Sequence, residues 1–348
     1  MSPVNRVGID TSWMPQTGRM DGLNRYTRTL VDIINSSNEI EAVHLANGDY
    51  KNRRTVLGFL KFVKLQQLTT PVHALRETLD VVHYPGNIIP LIDRRKRPFK
   101  RVVTVHDLMF FKGTRKEDVY YRAIFKLGIG LADGIVFVSD STAREFTARF
   151  PDIHVPSTVI PNPVSSAIHY DPLPLPRLEG RRYVVAQGHS AARKNLGVIL
   201  RTFEALRALM DVDLILYGTD EQAQQLSAEY EGVYYMQAPS DVELARLYSH
   251  ASCTWVLSLD EGFGLPVAEA LTCGSPVVAS DVGGIPFVSG GYAELVSPND
   301  VDTIVARTEK IISENNDGYR FERVRYSQRF STRTFLSDLL QFYRTVVG

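Results

Sequence analysis

The sequence is poor in cysteine and tryptophan, with two of each in 348 residues. Cys253 and Cys273 have no histidine at metal-ligand spacing, so neither a disulfide framework nor a zinc site can be read, and two buried thiols are expected. Long hydrophobic runs are also missing: no uncharged apolar stretch reaches the roughly 18 residues of a membrane-spanning helix. Residues 1–10 read as a strand, not as a charged-then-apolar leader, so a cytoplasmic protein is expected. Net charge is absent, because 39 Lys and Arg balance 39 Asp and Glu, and nucleic acid is not an expected partner. The Gly-x-Gly-x-x-Gly turn of a dinucleotide-dependent oxidoreductase does not follow the first strand, where Asp10-Thr11-Ser12-Trp13 stands instead. No internal repeat or low-complexity tract occurs.

The charge is unevenly spread. Residues 1–165 hold 23 Lys and Arg against 16 Asp and Glu, and the remainder holds 16 against 23. A basic half either faces something anionic or carries scattered solvated charge. Short β-branched runs recur, each followed by a segment of helical period. In the first half they are Val4–Asp10, Ala42–Ala46, Val81–Tyr84, Val102–Val105 and Gly134–Ser139. In the second they are Tyr183–Gln187, Val212–Tyr217, Val233–Met236, Cys253–Leu257 and Pro276–Ala279. Alternation of this kind implies an α/β protein with parallel sheets covered on both faces. At this length two domains are expected. A proline-rich link, Pro161, Pro163, Pro172, Pro174 and Pro176, places the boundary after residue 165, giving domains 1–165 and 166–331. Residues 332–348 put Phe335, Leu339, Leu340 and Tyr343 at helical spacing, which predicts an amphipathic helix packed back on the first domain.

The chemistry concentrates in Leu257-Ser-Leu-Asp-Glu-Gly-Phe-Gly-Leu-Pro-Val-Ala-Glu-Ala-Leu271. Gly262 and Gly264 allow close approach of backbone to a ligand, and Pro266 suits a first helical turn. The amides of Phe263 to Leu265 then point at an anion. Glu261 and Glu269 bracket the loop and can accept hydrogen bonds from sugar and ribose hydroxyls. Followed by Thr272-Cys-Gly-Ser-Pro-Val-Val-Ala-Ser280, this segment resembles the donor-binding signature of the family-4 retaining glycosyltransferases of GT-B fold, and the resemblance extends over nearly the whole chain. It implies two Rossmann-like domains facing a cleft, with Glu261 beside the donor sugar and Glu269 on the nucleotide ribose.

Other segments are similar to the same family. In Val184 to Leu196, Arg193 and Lys194 form a basic pair where the family neutralises the donor diphosphate, with His189 where an arginine is commonest. Gly22 remains from the family's glycine pair near the diphosphate, the other position being Asp21. His106, at the end of the fourth strand, matches a histidine near the reacting sugar, and Asp107 either orients it or binds acceptor. His83 to Asn87, Val138 to Thr142 and Ile160 to Pro163 also match, Ser139 to Ser141 reading most simply as a helix cap. The triplets Asp211 to Asp213 and Asp300 to Asp302 read as solvated or capping acids, not as a metal site.

The resemblance implies a retaining hexosyltransferase that needs no metal and no cofactor beyond its nucleotide sugar, with GDP-mannose as the first expectation for donor. A glycan or a polyprenyl-diphosphate-linked saccharide is the expected acceptor. The basic runs Lys51 to Arg54 and Arg94 to Arg97 offer peripheral contact with an anionic membrane, or simply a solvated face. The competing readings are a nonenzymatic nucleotide-sugar-binding protein and the dinucleotide-dependent oxidoreductase.

Overall fold

A computed structural model describes residues 4–12, 14, 22–45, 61–91, 97–114, 116–314 and 317–348. The chain divides into two compact units, residues 1–163 with 333–348, and residues 164–332.

The first unit holds strands β1 (Arg6–Ile9), β2 (Glu41–His44), β3 (Val81–Tyr84), β4 (Lys100–Val105), β5 (Gly134–Phe137) and β6 (Ser157–Val159), in spatial order β2-β1-β3-β4-β5-β6. The second holds β7 (Tyr183–Gln187), β8 (Asp213–Gly218), β9 (Val233–Gln237), β10 (Cys253–Val256), β11 (Val277–Ser280) and β12 (Glu294–Val296), in order β12-β11-β10-β7-β8-β9. Both sheets are parallel throughout. Every residue of β3, β5, β10 and β11 is buried, as their unbroken valine-rich sequences require when helices cover both faces. The edge strands β6 and β12 have no apolar run to announce them; Glu294 and Leu295 of β12 lie exposed.

The strand order has a direct functional consequence. Parallel sheets bind ligands beyond the carboxyl ends of adjacent strands whose following connections leave in opposite directions along the sheet. In the second sheet those strands are β7 and β10, and in the first they are β1 and β3. The loops that follow β7 and β10 are residues 188–195 and 257–264, the two segments singled out by their sequence.

The proline-rich segment crosses the second unit pinned by polar contacts. Val164 donates its N–H to the Phe330 carbonyl (2.8 Å), Arg246 donates to the Asp171 carboxylate (2.9 Å) and His250 Nε2 donates to the Asp171 carbonyl (3.1 Å). The terminal helix Thr332–Val347 buries Phe335, Leu339, Leu340, Phe342, Tyr343 and Val346 in the first unit's core. Its approach is close: a Cβ on Gly134 would stand 2.6 Å from Val346. Each large apolar side chain so buried contributes about 1.5 to 3 kcal/mol. Both cysteines are free and buried, and burial pushes the Cys253 thiol up to about 12. Asp300 caps the helix Val301–Glu314 by accepting from Thr303, and Ser139 caps Asp140–Arg149 by accepting the Thr142 N–H (3.3 Å). No helix among the described residues is long and apolar enough to cross a membrane.

Candidate donor site and catalytic residues

In the second unit the loops after β7 and β10 bring Lys194, Arg193, Ser258 and Glu261 together. Glu261 is 9% exposed, and its Oε1 accepts from Lys194 Nζ at 2.5 Å, Ser258 Oγ at 2.9 Å and Arg193 Nη1 at 3.4 Å. Burial alone would raise this carboxyl, but the two cations and the hydrogen bonds from Lys194 and Ser258 outweigh it and hold Glu261 below the usual carboxylate value. Lys194 faces inward, with a side chain 10% exposed, whereas Arg193 lies outward at 47%. The two loops are also joined through backbone, Leu259 donating its N–H to the Arg193 carbonyl (2.7 Å).

Asn195 makes this arrangement possible. It takes the left-handed conformation, φ 58°, which asparagine tolerates better than most residues. Its side-chain amide donates to the carbonyls of Leu257 (3.1 Å) and Pro298 (2.9 Å), tying the basic loop to the end of β10.

The helix Leu265–Thr272 starts from Gly264, at φ 94°, with Pro266 in its first turn. Proline has no N–H, and Val267 closes back on the Gly264 carbonyl (2.9 Å), so the Leu265 amide carries the positive end of this helix. Phe263 is buried and stands edge-on to Phe330. Gly283 and Gly284 support the loop from below. Gly284 donates its N–H to the Glu261 carbonyl (2.8 Å), and a Cβ on Gly283, at φ 53°, would fall 2.0 Å from that carbonyl oxygen. Adjacent glycines just beyond a buried strand are a sign of close backbone approach that the sequence itself carries, beyond the residues singled out above.

Glu269 lies within the same helix, 2% exposed, with Tyr248 Oη donating to Oε2 at 3.5 Å and Tyr217 Oη 2.6 Å from Tyr248 Oη. It belongs to a buried tyrosine cluster and is not part of the Lys194–Glu261 group. His189 is held in a cap: its Nδ1 lies 3.1 Å from Asp220 Oδ2 and 3.0 Å from the Ala191 nitrogen. Burial acts against ionisation of Asp220, but hydrogen bonds from Ala223 and Ser190, with His189 beside them, hold it down at about 2. Arg193 and Lys194, not His189, therefore accompany Glu261.

In the first unit His106 follows β4 and Gly22 opens the helix Gly22–Asn35. The rest of the glycine-containing loop before Gly22, and the basic runs Lys51 to Arg54 and Arg94 to Lys96, lie outside the described residues. His106 Nε2 stands 2.8 Å from the Pro85 carbonyl, which can only accept, so Nε2 carries the proton and Nδ1 is the acceptor of the neutral ring. Tyr26 packs edge-on against the imidazole at a centroid distance of 4.5 Å. Asp107 Oδ1 accepts the Met109 N–H (3.0 Å), so this carboxylate fixes the following turn.

Two parallel-sheet units, each with its candidate residues at strand ends, define a Rossmann-like α/β fold of two units. Residues 174–328 match the glycosyl transferases group 1, and residues 41–167 match Glycosyltransferase Family 4, leaving only 168–173 unmatched between them. The chain belongs to the family-4 glycosyltransferases of GT-B fold. It is similar to the O-antigen chain mannosyltransferase B of Escherichia coli, 28% identical over 85% of this chain and 88% of that one. It also resembles the O-antigen chain mannosyltransferase RfbU of Salmonella typhimurium, 26% identical over 58% of this chain and 57% of the relative. Among solved structures, the sucrose-phosphate synthase of Thermosynechococcus elongatus superimposes with TM-score 0.78 at 18% identity, covering 98% of both chains. The HepE protein of Anabaena, solved in complex with UDP, gives 0.73 at 16% identity over 98% of this chain and 100% of that one. These two establish a shared fold.

Proposed function

We propose that this glycosyltransferase moves a hexose, mannose in the first instance, from a nucleoside diphosphate sugar to a glycan or lipid-linked saccharide with retention of configuration. The observation that carries the reading is the buried Lys194–Glu261 pair at the β7/β10 strand ends, with Glu261 in the loop that leads into the helix Leu265–Thr272. A diphosphate at that point meets a lysine, an arginine and a helix N-terminus, while Glu261 accepts hydroxyls of the sugar. In the transfer the bond from the anomeric carbon to the diphosphate oxygen breaks and its electron pair stays on the diphosphate. The acceptor oxygen bonds to the same face of that carbon and gives its proton to a leaving phosphate oxygen. Lys194, Arg193 and the helix amide stabilise the departing charge, which gives them the role a metal ion takes elsewhere. His106 accepts a sugar hydroxyl through Nδ1. GDP-mannose is the first donor to test, a choice supported by the mannosyltransferase relatives.

The decisive experiment is a thermal-shift panel of nucleoside diphosphates and their sugars. Binding at about 100 times its Kd stabilises the protein by roughly 2.7 kcal/mol. Stabilisation confined to one base, followed by release of that nucleoside diphosphate when acceptor glycan is added, fits the reading. Failure of all nucleotides to bind would end it, and binding without turnover would favour a nonenzymatic binder. Activity is expected to persist in excess EDTA; strict dependence on added Mg2+ or Mn2+ would refute the metal-free account.

Peripheral contact with an anionic membrane is supported by the segment around the helix Thr70–Ala74. Leu68, Val72 and Leu75 are 47%, 41% and 45% exposed, and Lys61, Lys64 and Arg76 are exposed beside them. Sedimentation with phosphatidylglycerol vesicles is expected to be lost in Leu68→Asp/Val72→Asp; equal binding to neutral vesicles would remove the proposal.

A further inference from the structure

The turn that follows β3, Pro85-Gly86-Asn87, makes more contacts to the His106 segment than its sequence announces. Asn87 is one of three described non-glycine residues at positive φ, at 63°, a conformation that costs asparagine less than most other residues. Its backbone N–H donates to the Thr104 carbonyl (3.0 Å), anchoring the turn on β4. Its side chain then grips both peptide groups of the His106-Asp107 pair: Oδ1 accepts the His106 N–H (2.8 Å), and Nδ2 donates to the Asp107 carbonyl (3.2 Å). Two residues earlier in the same turn, the Pro85 carbonyl receives the His106 Nε2 proton (2.8 Å). One turn therefore holds the histidine at its backbone and at its ring.

The geometry points to Asn87 as the positioning residue of His106: it sets where the imidazole stands and, by fixing the Pro85 carbonyl, which ring nitrogen is left as acceptor. This inference rests on the proposed role of His106 for its effect on rate, but not for its effect on the ring. An imidazole that must accept a hydroxyl at Nδ1 needs the opposite tautomer excluded, and a carbonyl facing Nε2 does this because it cannot donate. The left-handed backbone of Asn87 accompanies a two-ended amide that satisfies the His106 N–H and the Asp107 C=O just beyond the end of β4.

Two measurements on the whole chain separate the failure of this inference from failure of the functional reading. In the first, protein labelled with 15N-histidine is observed by NMR at slightly alkaline pH, with His106→Ala used to assign the His106 ring. Wild type is expected to show a single Nε2-protonated tautomer, and Asn87→Gly, which keeps the left-handed backbone while removing the clamp, a mixture of the two. An unchanged tautomer in Asn87→Gly overturns the inference. In the second, nucleoside diphosphate release is followed for Asn87→Gly, His106→Ala and the double variant, using the donor that the thermal-shift panel identifies. Asn87→Gly is expected to lower kcat roughly 10- to 100-fold with little change in KM, as misplacement of a reacting group does. The double variant is expected to be no slower than His106→Ala alone. Losses that multiply in the double variant would show that Asn87 does not act through His106 and would overturn the inference. Should His106→Ala leave the rate unchanged, the reading of His106 falls, and the tautomer experiment still decides what Asn87 does. Asn87→Asp, which keeps the acceptor for the His106 N–H but turns a carboxylate on the Asp107 carbonyl, stands in if Asn87→Gly does not fold.

Discussion

Replacing Lys194 by methionine removes one charge from a pair whose side chains are only 10% and 11% exposed. Breaking such a buried pair from one side typically costs about 3 to 5 kcal/mol, because the surviving charge is left desolvated. In a unit of this size each kcal/mol moves the melting temperature by roughly 2 to 4 °C, so a drop of about 6 to 20 °C is expected at neutral pH. The pH dependence follows from the direction in which Glu261 is shifted. Its carboxyl is held below the ordinary value in the folded state, so the stability it lends is complete above that ordinary value and is lost as pH falls through the folded one. In Lys194→Met, burial is opposed only by Arg193 and Ser258, and the folded value moves up. The deficit against wild type is then largest at neutral pH and shrinks on entering the carboxylate range, where protonation removes the stranded charge. The assay is thermal unfolding of wild type, Lys194→Met and Lys194→Met/Glu261→Gln across that range. The double variant, with no buried charge left unpaired, is expected to recover most of the stability while transferring sugar at least 100-fold more slowly than wild type, about the loss seen when one oriented donor is removed. A deficit independent of pH, or a double variant as unstable as the single one, would refute the reasoning.

Further outcomes follow from the same geometry. Gly283→Ala places a methyl 2.0 Å from the Glu261 carbonyl at φ 53°, and is expected to weaken nucleotide binding in a thermal-shift titration far more than an alanine at Gly180, where nothing lies within 4 Å, although both sites are left-handed. Arg193→Ala is expected to raise the KM for donor at least several-fold, whereas His189→Ala, whose ring is held in the cap beside Asp220, acts chiefly on the melting temperature; steady-state kinetics distinguish the two. A stop codon at 333 removes the helix that brings Phe335, Leu339, Leu340 and Tyr343 into the first unit's core, so the truncated chain should be insoluble or lose the cooperative transition of that unit in calorimetry.

Much of the fold was legible because parallel strands buried on both faces must be continuous apolar runs. Val81–Tyr84 and Tyr183–Gln187 begin and end where the sequence places them. The edge strands Ser157–Val159 and Glu294–Val296 were not legible, since a three-residue, half-solvated strand has neither an apolar run nor a clear alternation. At the site, the residue types that can bind diphosphate and sugar were readable locally, because the glycines, Pro266, Glu261, Arg193 and Lys194 sit in two short segments. Their mutual arrangement was not readable. Glu261 and Lys194 lie 67 positions apart and meet only because the sheet sets β7 beside β10.

The sequence by itself therefore determined an α/β chain of two halves, a glycine-flanked helix start suited to an anion, and the charged side chains able to serve it; these follow from local periodicity and residue chemistry. Tertiary structure alone decided that Lys194 turns inward on Glu261 while Arg193 stays outside, that His189 is taken up beside Asp220, and that Glu269 joins buried tyrosines. It also decided that Asn87 and Asn195 hold the flanking backbone. Each of these depends on which strand ends the sheet order brings side by side, and so on contacts across tens of residues that no local pattern encodes.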